Sequence, residues 1–242
     1  MSLVLAIDSS AHISLALKDT ESGEIFEREY HERESAAEVL GVQVEELLSR
    51  ASKKAESISR ILIGSGPGSF TGLRIGFSFA KGLGLALGVL PEVFPSLHVA
   101  GRYIEAEGGC QPPRTRLVLA DARRGEYFAL LVVEDEAKVE AAPRNVEILT
   151  LAELEKVMVD HKDICIVWLD KPQQGVFSTL SCPEYVAERL AHNAIMWSGE
   201  PSEVSTDLDF AMKLGALVPT YLRSVSARTI AERASRETGF LG

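Results

Sequence analysis

Ile61-Leu62-Ile63-Gly64-Ser65-Gly66-Pro67-Gly68-Ser69-Phe70-Thr71-Gly72-Leu73-Arg74-Ile75-Gly76 is the stretch that decides the fold. An apolar strand enters it, a glycine-proline loop turns it, and a long apolar helix leaves it. Such a turn gathers free backbone N–H groups at the positive end of a helix dipole, which is an arrangement suited to anions. The spacing nevertheless fails the phosphate signatures. No Lys-Ser/Thr follows a Gly-x4-Gly, and Gly64-x-Gly66 lacks its third glycine. Gly68-Ser69-Phe70-Thr71-Gly72 misses the nucleophile elbow, which allows one residue on either side of the serine.

The helix that follows, expected over Phe70–Leu90, repeats small residues every fourth position: Gly72, Gly76, Ala80, Gly84 and Gly88. Each internal glycine costs roughly 1 kcal/mol against alanine, so a ridge of them implies close approach by another backbone. Leu73, Phe77, Ala80, Gly84 and Leu87 form one apolar face; Ile75, Phe79, Leu83 and Ala86 lie well round from it. The apolar arc is about twice the 100° that covering one sheet requires. Two readings follow: a fully buried core helix, or a helix whose second face meets a partner. The segment Ala36–Ala51, with Leu40, Val44, Leu47 and Leu48 at helical spacing, supplies part of that second surface. Arg74, Lys81 and Pro91 interrupt or close the run, which argues against a membrane span.

Outward from the helix the order is α/β. Strands are expected at Leu3–Asp8, Ile13–Lys18 and Glu24–Tyr30, the first two joined by the turn Ser9–His12. The helix Ala36–Ala51, the strand Ile61–Gly64 and a short strand at Val93-Phe94 come next, then a helical segment Leu97–Ala106. Gly108–Pro113 reads as a linker, and Arg116–Asp121 with Glu126–Glu134 reads as a hairpin. Helix Leu151–Val159, strand Ile164–Leu169, irregular Gln173–Ser181, helix Pro183–Asn193 and helix Asp207–Val218 complete the chain. The looser echo of the first half in the second suggests two lobes, 1–107 and 108–242, the last helix returning to the first.

Apolar content of 46% and charged content of 25% are ordinary globular values. A net charge of −10 excludes a protein that clamps nucleic acid unaided through a basic face. Cys110, Cys165 and Cys182 are odd in number and lack a Cys-x-x-Cys, which points to a reducing compartment rather than a disulfide frame or zinc knuckle. With no basic n-region after Met1, a cytoplasmic location is expected. The histidines form no i, i+4 pair, so no metal and no cofactor are expected.

Four motifs in order, Leu5-Ala6-Ile7-Asp8-Ser9-Ser10, Gly66 through Gly76, Asp121-Ala122-Arg123-Arg124-Gly125-Glu126-Tyr127 and Pro219-Thr220-Tyr221-Leu222-Arg223, together resemble the TsaB (YeaZ) family of bacterial tRNA threonylcarbamoyladenosine formation. The resemblance is strong over residues 1–130. It implies a two-lobed actin-like (ASKHA, ribonuclease H-like) α/β fold with mixed sheets flanked by helices. It also implies a non-catalytic subunit that docks on and activates a TsaD-like catalytic protein, with a TsaE-like ATPase as further partner. The complex transfers threonylcarbamoyl to adenosine 37 of ANN-decoding tRNAs, so tRNA is met only through the complex. Relatives begin their first helix with His-Ser-Glu; this chain has Ala36-Ala37-Glu38.

Asp8, Ser9 and Ser10 sit where the superfamily places its first phosphate-binding turn. Ser9–His12 holds no glycine whose amide could approach phosphate, so the turn reads either as a vestigial nucleotide site or as a plain capped turn. Asp121, Arg123, Arg124 and Glu126 are either solvated turn charges or residues of the lobe cleft or partner surface. The metal-binding His-x-x-x-His of TsaD-like relatives falls, by approximate placement, at Ser96 and Ala100, which argues against catalysis. The expected partner surface comprises Gly72, Leu73, Gly76, Phe79, Ala80, Leu83 and Gly84, with Leu40 and Val44; a second copy of the chain is its alternative occupant. The competing class is an enzyme, either a nucleotide-dependent transferase or a metalloprotease. Because phosphate neutralisation supplies most non-specific affinity, the chain alone should bind tRNA poorly at physiological salt. A gel shift showing tight, salt-sensitive binding would contradict this.

Overall fold

The computed structural model describes residues 2–31, 36–102, 115–133, 146–161, 163–170, 183–198 and 216–219. The first sheet comprises β1 (Leu3–Asp8), β2 (Ile13–Asp19), β3 (Ile25–Tyr30), β4 (Ile58–Gly64) and β5 (Glu92–Phe94) in the order β3-β2-β1-β4-β5. β1 pairs antiparallel with β2 and parallel with β4. The second sheet comprises β6 (Thr115–Arg123), β7 (Glu126–Val133), β8 (Glu147–Thr150), β9 (Ile164–Trp168) and β10 (Glu184–Val186) in the order β10-β9-β6-β7-β8. β6 repeats the role of β1, antiparallel to β7 and parallel to β9. Two sheets of one topology, flanked by helices, make the actin-like fold that the motifs implied.

Side chains alternate across each strand, and the sheets sort them by size. Leu3, Leu5 and Ile7 of β1, with Ile13, Leu15 and Leu17 of β2, face the helices α1 (Ala36–Arg50) and α2 (Phe70–Leu87). Val4, Ala6 and Ala16 face the other way, into a core shared with Val118, Ala120, Cys165 and Val167 of the second sheet. The small residues on that inner face leave room for α3 (Ser96–Arg102) and α5 (Leu190–Trp197), which lie between the sheets. α4 (Leu151–Asp160) covers the far face of the second sheet through Leu154 and Met158. The layers therefore run α1/α2, first sheet, α3/α5, second sheet, α4.

α5 crosses from the second half onto the first sheet, against β1 and β2. Its end is held by Arg60 of β4, which is buried and donates to both carboxylate oxygens of Glu92, at 2.6 and 2.7 Å. Arg60 also donates to the carbonyl of Ser198 at 3.3 Å, a cation at a helix C-terminus.

Several boundaries differ from those expected. β4 begins at Ile58, three residues into the sequence that a short 3-10 turn (Ala55–Ser57) starts. α2 ends at Leu87 because Gly88 takes a left-handed conformation (φ 68°) and caps it. The helix expected over Pro183–Asn193 is instead β10 followed by the first half of α5. Tyr185 and Val186 join the edge of β9, and Arg189, left-handed at φ 55°, separates the two elements. β8, a short edge strand ended by the Thr150 capping box, adds a strand beyond those expected. The linker Gly108–Pro113, the lobe boundary at 107/108, Gln173–Ser181 and Thr220–Arg223 lie outside the described residues, as does Asp207–Val218 apart from Ala216–Val218. Leu217 packs against the core under α1 and α2.

The glycine ridge of α2 faces inward. A Cβ on Gly72 would strike the Ser9 carbonyl oxygen, and one on Gly76 would strike Ser9 Oγ. Gly84 is closed off by the Val89 carbonyl and the Pro91 ring. The backbone whose approach these glycines permit is therefore the chain's own. Gly76→Leu should destabilise the fold by roughly 1–3 kcal/mol, the usual cost of overpacking. Gly82, with nothing within 4 Å of an added Cβ, should by contrast accept alanine with a gain of up to about 1 kcal/mol. Urea melts of both variants check the pair; an unchanged Gly76→Leu midpoint refutes the inward reading.

Candidate functional site

The turn after β1, the glycine loop and the start of α3 meet around one carboxyl group. Asp8 is wholly buried. Its Oδ1 accepts from the Ser10 amide at 2.8 Å and from the Ser10 hydroxyl. Its Oδ2 accepts from Ser96 Oγ at 2.6 Å, and Ser96 Oγ in turn accepts from the Gly66 amide at 3.1 Å. Gly64 touches the other side of this group, since a Cβ there would collide with Asp8 Oδ2 and Ser96 Oγ. Ser65 bonds the Phe94 carbonyl through its amide (2.8 Å) and its hydroxyl (3.0 Å), which ties the loop to β5. The Ser69 amide donates to the Ser10 carbonyl, while Ser69 Oγ caps α2 by accepting from the Gly72 amide at 3.2 Å.

Asp8, Ser9 and Ser10 are thus brought together with the glycine loop, but with exposures of 0%, 4% and 2%. Gly68 and Gly72 press against the Ser10 and Ser9 carbonyls. A phosphate at this turn would have to displace the loop. Burial pushes the Asp8 carboxyl above its ordinary value, and the bonds from Ser10 and Ser96 and the charge of His12 only partly oppose it.

Ser96, placed by resemblance where a TsaD-like relative has a metal-binding histidine, here bonds Asp8, and Ala100 is fully buried. His98 between them is half-buried in the first turn of α3. Among the described residues no group of three or more His, Cys, Asp or Glu could hold a metal ion. None of their helices is long and apolar enough to cross a membrane.

Asp121, Arg123, Arg124 and Glu126 form the β6–β7 turn. Arg123, Arg124 and Gly125 are all left-handed, at φ 68°, 62° and 75°, a conformation that two-residue hairpins demand and that non-glycine residues adopt at a cost. Asp121 steadies it by accepting from the Arg123 amide at 2.7 Å and pairing with its guanidinium at 3.3 Å. Both arginines point into solvent.

The residues expected at a partner surface divide. Leu73, Gly76, Ala80, Gly84, Leu40 and Val44 are buried within the chain, so they do not present an open surface. Gly72 is half-buried against Ser9. Phe79 and Leu83 are half-buried, Phe79 lying against Gly41 of α1. Val42 and Leu85, 56% and 64% exposed, are the apolar side chains that project furthest from α1 and α2. Neither is among the residues expected at a partner surface, although Val42 lies between exposed Glu38, Glu45 and Glu46, a pattern readable as the outer face of an amphipathic helix.

The duplicated sheet, the antiparallel β1–β2 hairpin and the helices between the sheets define the actin-like class. The family model described as "TsaD: tRNA N6-adenosine threonylcarbamoyltransferase" matches residues 31–242. The tRNA threonylcarbamoyladenosine biosynthesis protein TsaB of Bacillus subtilis (strain 168) is 27% identical over 236 residues, covering 93% of this chain and 95% of that protein. TsaB of Escherichia coli (strain K12) is 34% identical over 95 residues, 38% of this chain and 39% of that one. The solved structure of YeaZ from Pseudomonas aeruginosa superposes with a TM-score of 0.66 at 23% identity, covering 92% of this chain and all of that one. The chain belongs to the TsaD-type threonylcarbamoyltransferase family, within which it is a TsaB/YeaZ protein.

Asp8 gives this site a measurable signature. Because its folded pKa lies above the unfolded one, it favours the fold most below about pH 4 and costs stability as pH rises through the raised value. Asp8→Asn should flatten that limb and be no less stable than the parent at neutral pH. Chemical denaturation across the acid-to-neutral range tests it; a large loss of stability at neutral pH would show that the charged carboxylate is required.

Proposed function

We propose that the chain serves in the formation of threonylcarbamoyladenosine on tRNA as a non-catalytic subunit that docks on a TsaD-like catalytic protein and activates it. The observation that supports this reading is the crowded turn: the glycine loop and serine side chains close over Asp8, Ser9 and Ser10, which the resemblance aligns with a phosphate-binding turn, and Ser96, which it aligns with a TsaD-like metal ligand, bonds Asp8. Family membership supplies the pathway, since the Bacillus and Escherichia relatives are named for threonylcarbamoyladenosine biosynthesis. The outward face of α1 and α2 is the docking surface in this reading, with Val42 and Leu85 at its centre and Phe79 and Leu83 beneath. A TsaE-like ATPase joins the same assembly. With a net charge of −10, the chain leaves the grip on tRNA mainly to its partner.

The test is co-purification with the cognate TsaD-like protein, followed by a tRNA modification assay with each subunit omitted in turn. Modification should require both chains, and neither should turn over alone. Turnover by this chain alone would favour the transferase reading. Val42→Glu and Leu85→Glu should weaken the complex by at least about tenfold, because a charge would be buried unpaired. The monomer's stability should change by no more than about 0.5 kcal/mol at such exposed sites. Normal assembly by both folded variants would move the docking surface elsewhere.

A further inference from the structure

The start of α5 is fastened to the first sheet by two carboxylates of β3. Glu27 and Glu29 stand two apart on an edge strand and so project from one face, the face that α5 covers. Glu27 Oε2 accepts from Arg189 Nε at 2.7 Å and lies 3.1 Å from His192 Nδ1. Glu29 works through a relay. Its Oε1 accepts the Ser14 hydroxyl proton at 2.6 Å, and Ser14 Oγ accepts from the Ala191 amide at 2.9 Å, in the first turn of α5. A hydroxyl has one proton to give. While that proton is committed to Glu29, the Ser14 lone pairs face Ala191. Ser14 and Ala191 are both fully buried.

The second oxygen of Glu29 lies 2.7 Å from Nε2 of His12, whose side chain is only 5% exposed. Among the described residues the charged and titratable groups facing His12 are Glu29 from β3, Asp8 from the end of β1, Asp170 beyond β9, and the His31 ring, tilted against it with centroids 4.4 Å apart. We propose that His12 and Glu29 form a proton-operated latch that sets how firmly the start of α5, and with it the second half of the chain, is held on the first sheet. With His12 protonated the pair is neutral and charge-assisted. With His12 neutral, Glu29, whose side chain is 21% exposed, carries an uncompensated charge near Asp8 and Asp170, and the cost of keeping it there draws the carboxylate out towards water and away from Ser14.

The direction follows from the surroundings. Burial pulls the His12 imidazole down, but the Glu29 hydrogen bond and the charges of Glu29, Asp8 and Asp170 outweigh it, so His12 holds its proton above the ordinary histidine range. Its contribution is complete below about pH 6.5 and is lost as pH rises through the raised folded value. The latch is closed in mild acid and opens towards alkaline pH.

Amide hydrogen exchange on the full chain, from about pH 6 to about pH 9, tests the latch when the His12 ring is followed by NMR in the same samples. After correction for intrinsic rates, protection at Ala191 should fall roughly tenfold as His12 deprotonates, the scale of one charge-assisted hydrogen bond. The amides of Val118 and Val167 in the second sheet should not follow it. His12→Gln, which stays uncharged, should show the weaker protection at every pH. Protection at Ala191 that stays flat through the His12 titration overturns the proposal. So does a fall shared equally by the second sheet, which would be global unfolding. The parent chain alone decides both outcomes, so they hold even if His12→Gln does not fold.

Discussion

The structure depends on how closely the turn after β1 approaches the glycine loop and the first turns of α2. Gly64, Gly68, Gly72 and Gly76 each touch Asp8, Ser9 or Ser10 where a side chain would collide. The contact fixes three things together: the angle at which α2 leaves the sheet, the burial of Asp8, and the position of Ser96 at the head of α3. The loop amide of Ser69 and the hydroxyl of Ser96 engage the Ser10 carbonyl and the Asp8 carboxylate from within. The turn works as a joint between β1, α2 and α3.

The α1/α2 face is the other consequence of that joint. With the glycine ridge turned inward, α2 presents Arg74, Ser78, Gly82 and Leu85 outward, beside the exposed glutamates of α1. This face is mixed, with a modest apolar centre, which suits the proposed docking in a separable complex rather than an obligate one. The wide apolar arc read from the sequence serves mainly to seat α2 on the sheet and against α1.

Much of the fold was legible because the strands are short, largely apolar runs bounded by explicit turn chemistry. Leu3–Asp8, Ile13–Lys18 and the β6–β7 hairpin needed only those runs and the Ala122–Gly125 turn. The family motifs drew attention to Asp8 and the glycine loop, which the structure joins through Ser96. The direction of the glycine ridge was hidden, because spacing tells that a backbone comes close but not whose. Ser96 as the partner of Asp8 was equally hidden, since a contact across 88 residues leaves no local trace. The region around β10 misled because its apolar residues fit a helical period, while Pro183 and the left-handed Arg189 broke it in space. Glu27 and Glu29 did carry a signal, two acids on one face of a strand, but only the arrival of α5 gives them meaning.

The position of α5 bears on how the chain is made. The Ser14–Ala191 bond joins residues 177 apart, and the inner face of the first sheet, with Val4, Ala6, Ala16 and Leu62, is covered by elements from the second half. During synthesis the first half emerges with that face bare until most of the polypeptide has been translated. Closing so long a loop is entropically slow to reward, and an uncovered apolar sheet is a target for association in the interval. The small side chains on that face limit the apolar area on offer, so the feature that admits α5 in the finished molecule also makes the growing chain less adhesive.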